Sequence, residues 1–137
     1  MSRIINTDSA GKQRSQLTRA AAVALRHLAQ QPEPGEEARD LAAFIAIALK
    51  SIYDGIDLSV AAWEKRGYWV KADRFRMEWA WAGPLSARLT EAVLQGDWPA
   101  IAEISMKTAQ RLGRVQVSAS ARVGMPWRGA FERLKTS

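Results

Sequence analysis

The stretch between Trp63 and Trp81 holds the side chains best suited to binding chemistry. It reads WEKRGYWVKADRFRMEWAW and contains six aromatic residues, five bases and three acids. Aromatic rings stack on the bases of single-stranded nucleic acid, while arginine and lysine bind its phosphates. The same mixture also suits a helix that packs in a core or against a second subunit. The stretch therefore predicts a binding face, a helix that closes the core, or both.

The aromatic residues of this stretch divide by their spacing. Four of them fall on helical seams and are expected in the core: Trp63, Tyr68, Phe75 and Trp79. Trp69 and Trp81 fit those seams least well, so each is available to pack on another helix or on a second subunit. These two residues and Trp127 are our candidate stacking or interface residues.

The charge of the chain favours a polyanionic partner. Its net charge is +6, and residues 97–137 alone carry seven bases and three acids. A basic field attracts polyanions, although excess charge also serves solubility. The candidate anion-binding residues are Arg19, Arg26, Arg66, Lys71, Arg74, Arg111, Arg114, Arg122 and Arg128. Arg111, Arg114 and Arg122 fall broadly on one side of the fourth predicted helix, and we expect them to form one basic face with Arg19 and Arg26 of the first. This face would contact phosphates without reading sequence, since no helix-turn-helix or RNA-recognition motif is found.

Catalytic and metal-binding motifs are not evident. The chain has no cysteine, which excludes disulfides, thiolate metal sites and cysteine nucleophiles. His27 is its one histidine, and the Glu-x-x-His pairs of a di-metal bundle are missing. Ser9 and Lys12 match Ser-x-x-Lys, but a two-residue match is common by chance. We therefore predict a protein with no enzymatic activity, no cofactor and no metal.

The length and the N-terminal sequence predict one cytoplasmic domain. A chain of 137 residues has the size of a single domain, so residues 1–137 are taken together. The first residues contain no apolar run of the length that a signal peptide needs. The longest apolar run, residues 41–49, is too short to cross a bilayer. No membrane insertion is expected.

Helical periodicity runs through almost the whole chain and predicts an all-α fold. The predicted helices span residues 9–31, 36–66, 68–95 and 97–123, with a short helix at 126–135. Gly67 is expected to end the second helix in a left-handed conformation. The third helix is apolar over a wide arc and is expected to be central. Long helices joined by short links predict an antiparallel four-helix bundle.

Two boundaries stay open at this level. Pro84 either kinks the third helix or ends it at Gly83-Pro84. Residues 115–123 contain apolar residues at every second position, which is a strand period. The fourth helix therefore either continues to residue 123 or ends at Gly113 and is followed by an extended arm.

The leading functional prediction is sequence-independent binding of a polyanion such as single-stranded nucleic acid, as a subunit of a larger assembly. The alternative is a structural protein that assembles with itself or with a partner protein through the third helix. A second alternative is a small-ligand sensor or enzyme, which needs a polar pocket inside the bundle. The seams offer few polar residues for such a pocket: Ser59, Ser86, Ser105 and Gln116.

Overall fold

The computed structural model describes residues 7–113 and 124–136, and within them the regular structure is helical throughout. The helices are α1 (Thr7–Ala29), α2 (Glu36–Lys65), α3 (Trp69–Trp79), α4 (Ala82–Gln95), α5 (Trp98–Arg111) and α6 (Ala130–Thr136). The predicted all-α fold, a helical bundle with a short C-terminal helix, is confirmed. The antiparallel order of four long helices stays a prediction.

The central helix of the bundle is α2, which packs against α1, α3, α4 and α6. Its largest fully buried side chains are Leu41, Ile45, Leu49 and Ile52. Buried alanines within residues 41–49 let neighbouring helices approach from several sides, because this part of α2 is apolar all round. The prediction that the third helix, residues 68–95, is central is wrong for α3, whereas α4, the rest of that predicted helix, packs in the main core.

The end of α2 is the glycine turn that the sequence predicts. Gly67 has a φ of 81°, in the left-handed region where a Cβ is unfavourable. The Tyr68 N–H donates to the Trp63 carbonyl at 2.9 Å, and the Gly67 N–H donates to the Glu64 carbonyl at 3.0 Å. This pair of bonds is the Schellman motif, which satisfies the last carbonyls of a helix. The following helix, α3, then packs on the C-terminal half of α2.

The segment predicted as one helix over residues 68–95 is two helices, broken at Ala80 and Trp81. Pro84 explains the position of the break. It has no N–H to donate to the Ala80 carbonyl four residues earlier, and its ring crowds that carbonyl. Pro84 itself lies in the first turn of α4, where no donor is needed. The break therefore precedes Gly83-Pro84 instead of falling on it.

The buried apolar side chains form two clusters. The larger one joins α1, α2, α4, α5 and α6. The smaller one consists of Ile56, Val60 and Ala72, covered by the rings of Trp63, Phe75 and Trp79. The smaller cluster lies between α3 and the C-terminal half of α2, so α3 is attached largely outside the main core.

The C-terminal part of the chain differs from its predicted bounds. α5 ends at Arg111, close to the alternative boundary at Gly113. The continuation of the chain, as a helix or as an extended arm, falls on residues 114–123, which lie outside the described residues. α6 begins at Ala130, later than predicted, because the residues before it form a turn.

A carboxylate on α2 caps the start of α6. Asp40 accepts a hydrogen bond from the Gly129 N–H at 3.1 Å and another from the Phe131 N–H at 2.9 Å. The first N–H groups of a helix have no partner within that helix and need an acceptor from outside. Asp40 supplies this acceptor from another helix and so ties the end of the chain to α2.

Candidate docking surface on α3

Large apolar side chains of α3 and of the turn before it are exposed to solvent. Tyr68, Trp69, Val70 and Met77 are 55%, 62%, 68% and 71% exposed. By helical geometry, Val70 and Met77 lie on the face opposite the buried Ala72, with Trp69 on the flank of that face. Single exposed apolar residues are ordinary, but a contiguous group marks an interaction site. We define the α3 surface as Tyr68, Trp69, Val70, Asp73, Arg74 and Met77.

The opposite side of α3 attaches it to α2. The Phe75 ring meets the Trp63 ring edge-on, with 4.8 Å between centroids. Arg76 donates from Nη2 to a carboxylate oxygen of Glu64 at 3.0 Å. The Lys71 ammonium lies 4.7 Å from the centroid of the Trp63 ring. One face of α3 is thus used for attachment, and the other face is left to solvent.

Arg14 of α1 adds a second support to the attached side. Its guanidinium lies 4.6 Å from the centroid of the Phe75 ring. Burial lowers the pKa of Arg14 below its ordinary value, and the negative charge of Glu78 partly offsets this. The contact holds α3 from the side of α1, although it partly desolvates a charge.

Two opposite charges lie at the centre of the α3 surface. Asp73 and Arg74 fall between Val70 and Met77, and both are exposed. Asp73 accepts a hydrogen bond from Arg76 at 3.3 Å. Arg74 makes no ion pair within the described part of the chain. The Asp73 carboxylate repels phosphate and disfavours insertion of this surface among lipid tails. A protein partner whose surface carries charges of both signs can accommodate the carboxylate.

The fold divides the tryptophans that the sequence proposed for stacking or an interface. Trp69 is exposed on α3. Trp81 is half-buried at the break before α4, with its ring centroid 5.8 Å from that of Trp79. Trp127 is 3% exposed, and its ring centroid lies 4.9 Å from that of His27. Trp127 is therefore a core residue, which corrects its prediction as a stacking or interface residue.

The basic candidates are divided in the same way. Those near α3 are Arg66, Lys71 and Arg74, and they lie in one region of the chain with Trp69. The others are exposed on separate elements: Arg19 and Arg26 on α1, Arg111 at the end of α5 and Arg128 in the turn before α6. Arg114 and Arg122 lie outside the described residues. The basic face predicted across α1 and the fourth predicted helix therefore stays a prediction.

Within residues 7–113 and 124–136, no group of three His, Cys, Asp or Glu side chains is arranged to hold a metal ion. In the same part of the chain, every helix is too short or too polar to cross a membrane.

Comparison with known proteins assigns no family to the chain. No protein-family model matches it, and searches of curated proteins and of solved structures gave no match. The α3 surface is therefore interpreted from its own geometry.

Sequence reasoning missed the exposure of Tyr68, Val70 and Met77, and the prediction that Tyr68 lies in the core is wrong. It treated the third predicted helix, which contains Val70 and Met77, as apolar over a wide arc, although Arg74 lies between these two residues. That arginine was the available signal, because a charged residue within an apolar stripe is typical of a face that meets solvent or a partner. The position of Pro84 was the other signal, since it separates α3 from the long apolar helix that follows.

Proposed function

We propose that the protein is a non-enzymatic assembly module that binds a second copy of its own chain through the α3 surface. The observation that carries this proposal is the exposure of Trp69, Val70 and Met77 on a helix that buries one residue, Ala72. The apolar stripe of a helix is normally buried against another element, and a second copy of the chain would cover the apolar side chains that α3 exposes. Tryptophan, tyrosine, methionine and arginine are enriched in protein interfaces. The lack of cysteine fits a cytoplasmic location, which is part of the proposal.

A second copy fits because the α3 surface is self-complementary. Its central residues, in order, are Val70, Asp73, Arg74 and Met77. Two α3 helices packed antiparallel, with a two-fold axis between positions 73 and 74, pair Val70 with the second copy's Met77. The same axis pairs Asp73 with the second copy's Arg74. An isologous interface requires this match of a surface with itself, and here apolar contacts and charges match together.

Met77→Glu is expected to weaken dimerisation at least about ten-fold, because it introduces an unpaired carboxylate opposite Val70. Sedimentation equilibrium over a range of protein concentrations measures the dissociation constant. Met106→Glu is the matched control, since Met106 is a methionine on α5 that is 64% exposed and lies outside the α3 surface. The control should dimerise as the wild-type chain does. Circular dichroism verifies that both variants remain helical.

Two results would contradict the proposal. One is a wild-type protein that sediments as a monomer at every concentration. The other is an equal loss of dimer in Met77→Glu and Met106→Glu, which would place the interface elsewhere or show a non-specific effect of charge.

A second candidate function is sequence-independent binding of a polyanion such as single-stranded nucleic acid. It is supported by exposed cations that make no ion pair within the described residues: Lys12, Arg19, Lys65, Arg66, Arg74, Arg111 and Arg128. Arg66 and Arg74 are exposed on the same stretch of chain as the exposed rings of Tyr68 and Trp69, and single-stranded nucleic acid is bound by such cations together with aromatic rings. Asp73 weighs against this candidate, so we rank it second.

The double variant Arg66→Gln, Arg74→Gln tests the second candidate. If single-stranded nucleic acid binds the α3 surface, the variant loses affinity. The negative slope of log affinity against log salt also becomes shallower by about 1.4, because two phosphate contacts are lost. Tryptophan fluorescence titrated with an oligonucleotide at several salt concentrations measures both quantities. The control Lys50→Gln, Lys107→Gln removes the same charge from lysines already paired with Asp54 and Glu103. Unchanged fluorescence of the wild-type protein at low salt would eliminate this candidate.

A further inference from the structure

A groove of about 530 Å³ lies between the C-terminal half of α1 and α5. Its walls include Leu25 and Leu28 of α1 and Trp98, Ile101 and Met106 of α5. The link between α1 and α2 contributes the residues from Gln31 to Pro34. Sites for small molecules in proteins have volumes of about 300–1,000 Å³ and mostly apolar walls with few polar groups. The groove has both properties.

A single buried hydroxyl in this groove has no partner. Ser105 lines the groove, is 9% exposed, and its Oγ is buried without a hydrogen bond to any described residue. Thr108, three residues later on α5, donates its hydroxyl to the Ile104 carbonyl at 2.8 Å. Ser105 does not make the equivalent bond to its own helix. Because buried hydroxyls are normally hydrogen-bonded, Ser105 points to an occupant that supplies a partner.

The remaining polar groups of the groove restrict the charge of an occupant. Among the described residues that line it, Glu33 alone is charged, and it is exposed. The mostly apolar walls disfavour a buried charge of either sign, and the Glu33 carboxylate adds repulsion of an anion. The Gln31 side-chain amide already donates to the His27 carbonyl at 3.4 Å. We infer that this groove binds a neutral, largely apolar small molecule that forms one hydrogen bond with Ser105.

This site is separate from the α3 surface. No residue of α3 lines the groove, and α3 packs chiefly on α2. Failure of one proposal therefore leaves the other intact.

Phenylnaphthylamine is a suitable probe, because it is neutral and apolar, has one N–H donor, and fluoresces more strongly in apolar surroundings. We expect saturable binding to the wild-type chain and an affinity at least about ten-fold lower for Ala102→Phe, which fills the groove. Ala102 is exposed on α5, so the fold should tolerate the larger ring. Ala61→Phe, at an exposed alanine of α2 outside the groove, is the matched control and should bind as the wild type does. Ala109→Phe is a second groove-filling variant if the first fails to fold.

Ser105→Ala distinguishes a ligand-binding hydroxyl from a structural one. We expect about five-fold weaker probe binding, corresponding to one lost neutral hydrogen bond. The thermal midpoint of the ligand-free protein should rise, because an unpaired buried hydroxyl is removed. The inference is overturned if the wild-type chain does not bind the probe. This holds even if the cause is that another segment of the chain or a second copy covers the groove. Probe binding that Ala102→Phe and Ala109→Phe leave unchanged overturns it as well.

Discussion

Replacing Leu49 with alanine is expected to lower the free energy of unfolding by about 3–5 kcal/mol, the upper part of the range for buried leucines. Leu49 is 0% exposed and lies within α2, where the main core surrounds it. The substitution removes buried apolar atoms and leaves a cavity, since helices that contact α2 on several sides relax only in part. Domains of this size are stable by about 5–15 kcal/mol, so the loss is a large fraction of the total.

Leu58→Ala is the matched control for this prediction. Leu58 lies on the same helix, but it is 52% exposed. Its replacement should cost less than about 1 kcal/mol, because little of its surface is removed from water on folding. Urea unfolding of both variants at one protein concentration gives the two values and keeps any dimerisation constant. Similar losses for Leu49 and Leu58 would mean that α2 is not the centre of the core.

Reversing one charge of the α3 surface in each of two variants should abolish their self-association. The two variants should instead associate with each other. Asp73→Arg leaves two adjacent arginines on each copy, and Arg74→Asp leaves two adjacent acids. Each variant alone meets like charges across the proposed axis, which is costly at an interface. We expect both to be monomeric at concentrations where the wild-type chain is dimeric. An equimolar mixture restores opposite charges and should form a heterodimer.

The mixture is the decisive sample in this experiment. Native mass spectrometry separates the heterodimer from the two homodimers, because the variants differ in mass. Loss of association in each variant without recovery in the mixture would contradict the antiparallel arrangement. Association that neither substitution changes would contradict the α3 surface as the interface.

The sequence predicts the helical content and the bounds of α2 closely, because local signals determine them. A long apolar seam, acids in the first turn and Gly67 at the end all favour the same helix. Gly55, a poor helix former within that seam, is accommodated because buried positions on either side keep the helix in place. Local propensity and burial agree over this segment, so reasoning from one sequence is sufficient there.

The sequence could not identify which helix is central. A wide apolar arc is equally consistent with a helix buried on all sides and with one that has an exposed face for a partner. The choice depends on how the chain turns at Ala80 and Trp81, where Pro84 removes a hydrogen bond. The hydrophobic periodicity of the sequence does not predict how the missing hydrogen bond changes the packing of the helices. Trp127 is the opposite kind of error, because the sequence predicts it as an interface residue and it is buried. Its contact with His27, which is distant in the sequence, is not predictable from periodicity.

Prediction of the candidate sites depends on how distant segments pack even more strongly than prediction of the central helix does. Trp69, Arg66 and Arg74 lie on one short stretch of chain, so their grouping as a site follows from the sequence alone and stays a prediction. Sequence spacing did not separate them from Trp127 or find the groove beside Ser105, because α1 and α5 are distant in the sequence. The sequence did give one signal for Ser105, because it is one of the few polar residues on the predicted seams.

The cap that Asp40 provides to α6 also affects the order in which the protein is completed during synthesis. Gly129 and Phe131 follow Asp40 by 89 and 91 residues, so the ribosome makes them long after α2 has emerged. Until then, α6 is not available to pack on α2 or to donate its N–H groups to Asp40. Docking of α6 is thus a late event in folding, and it covers α2 after the other helices are already available to pack.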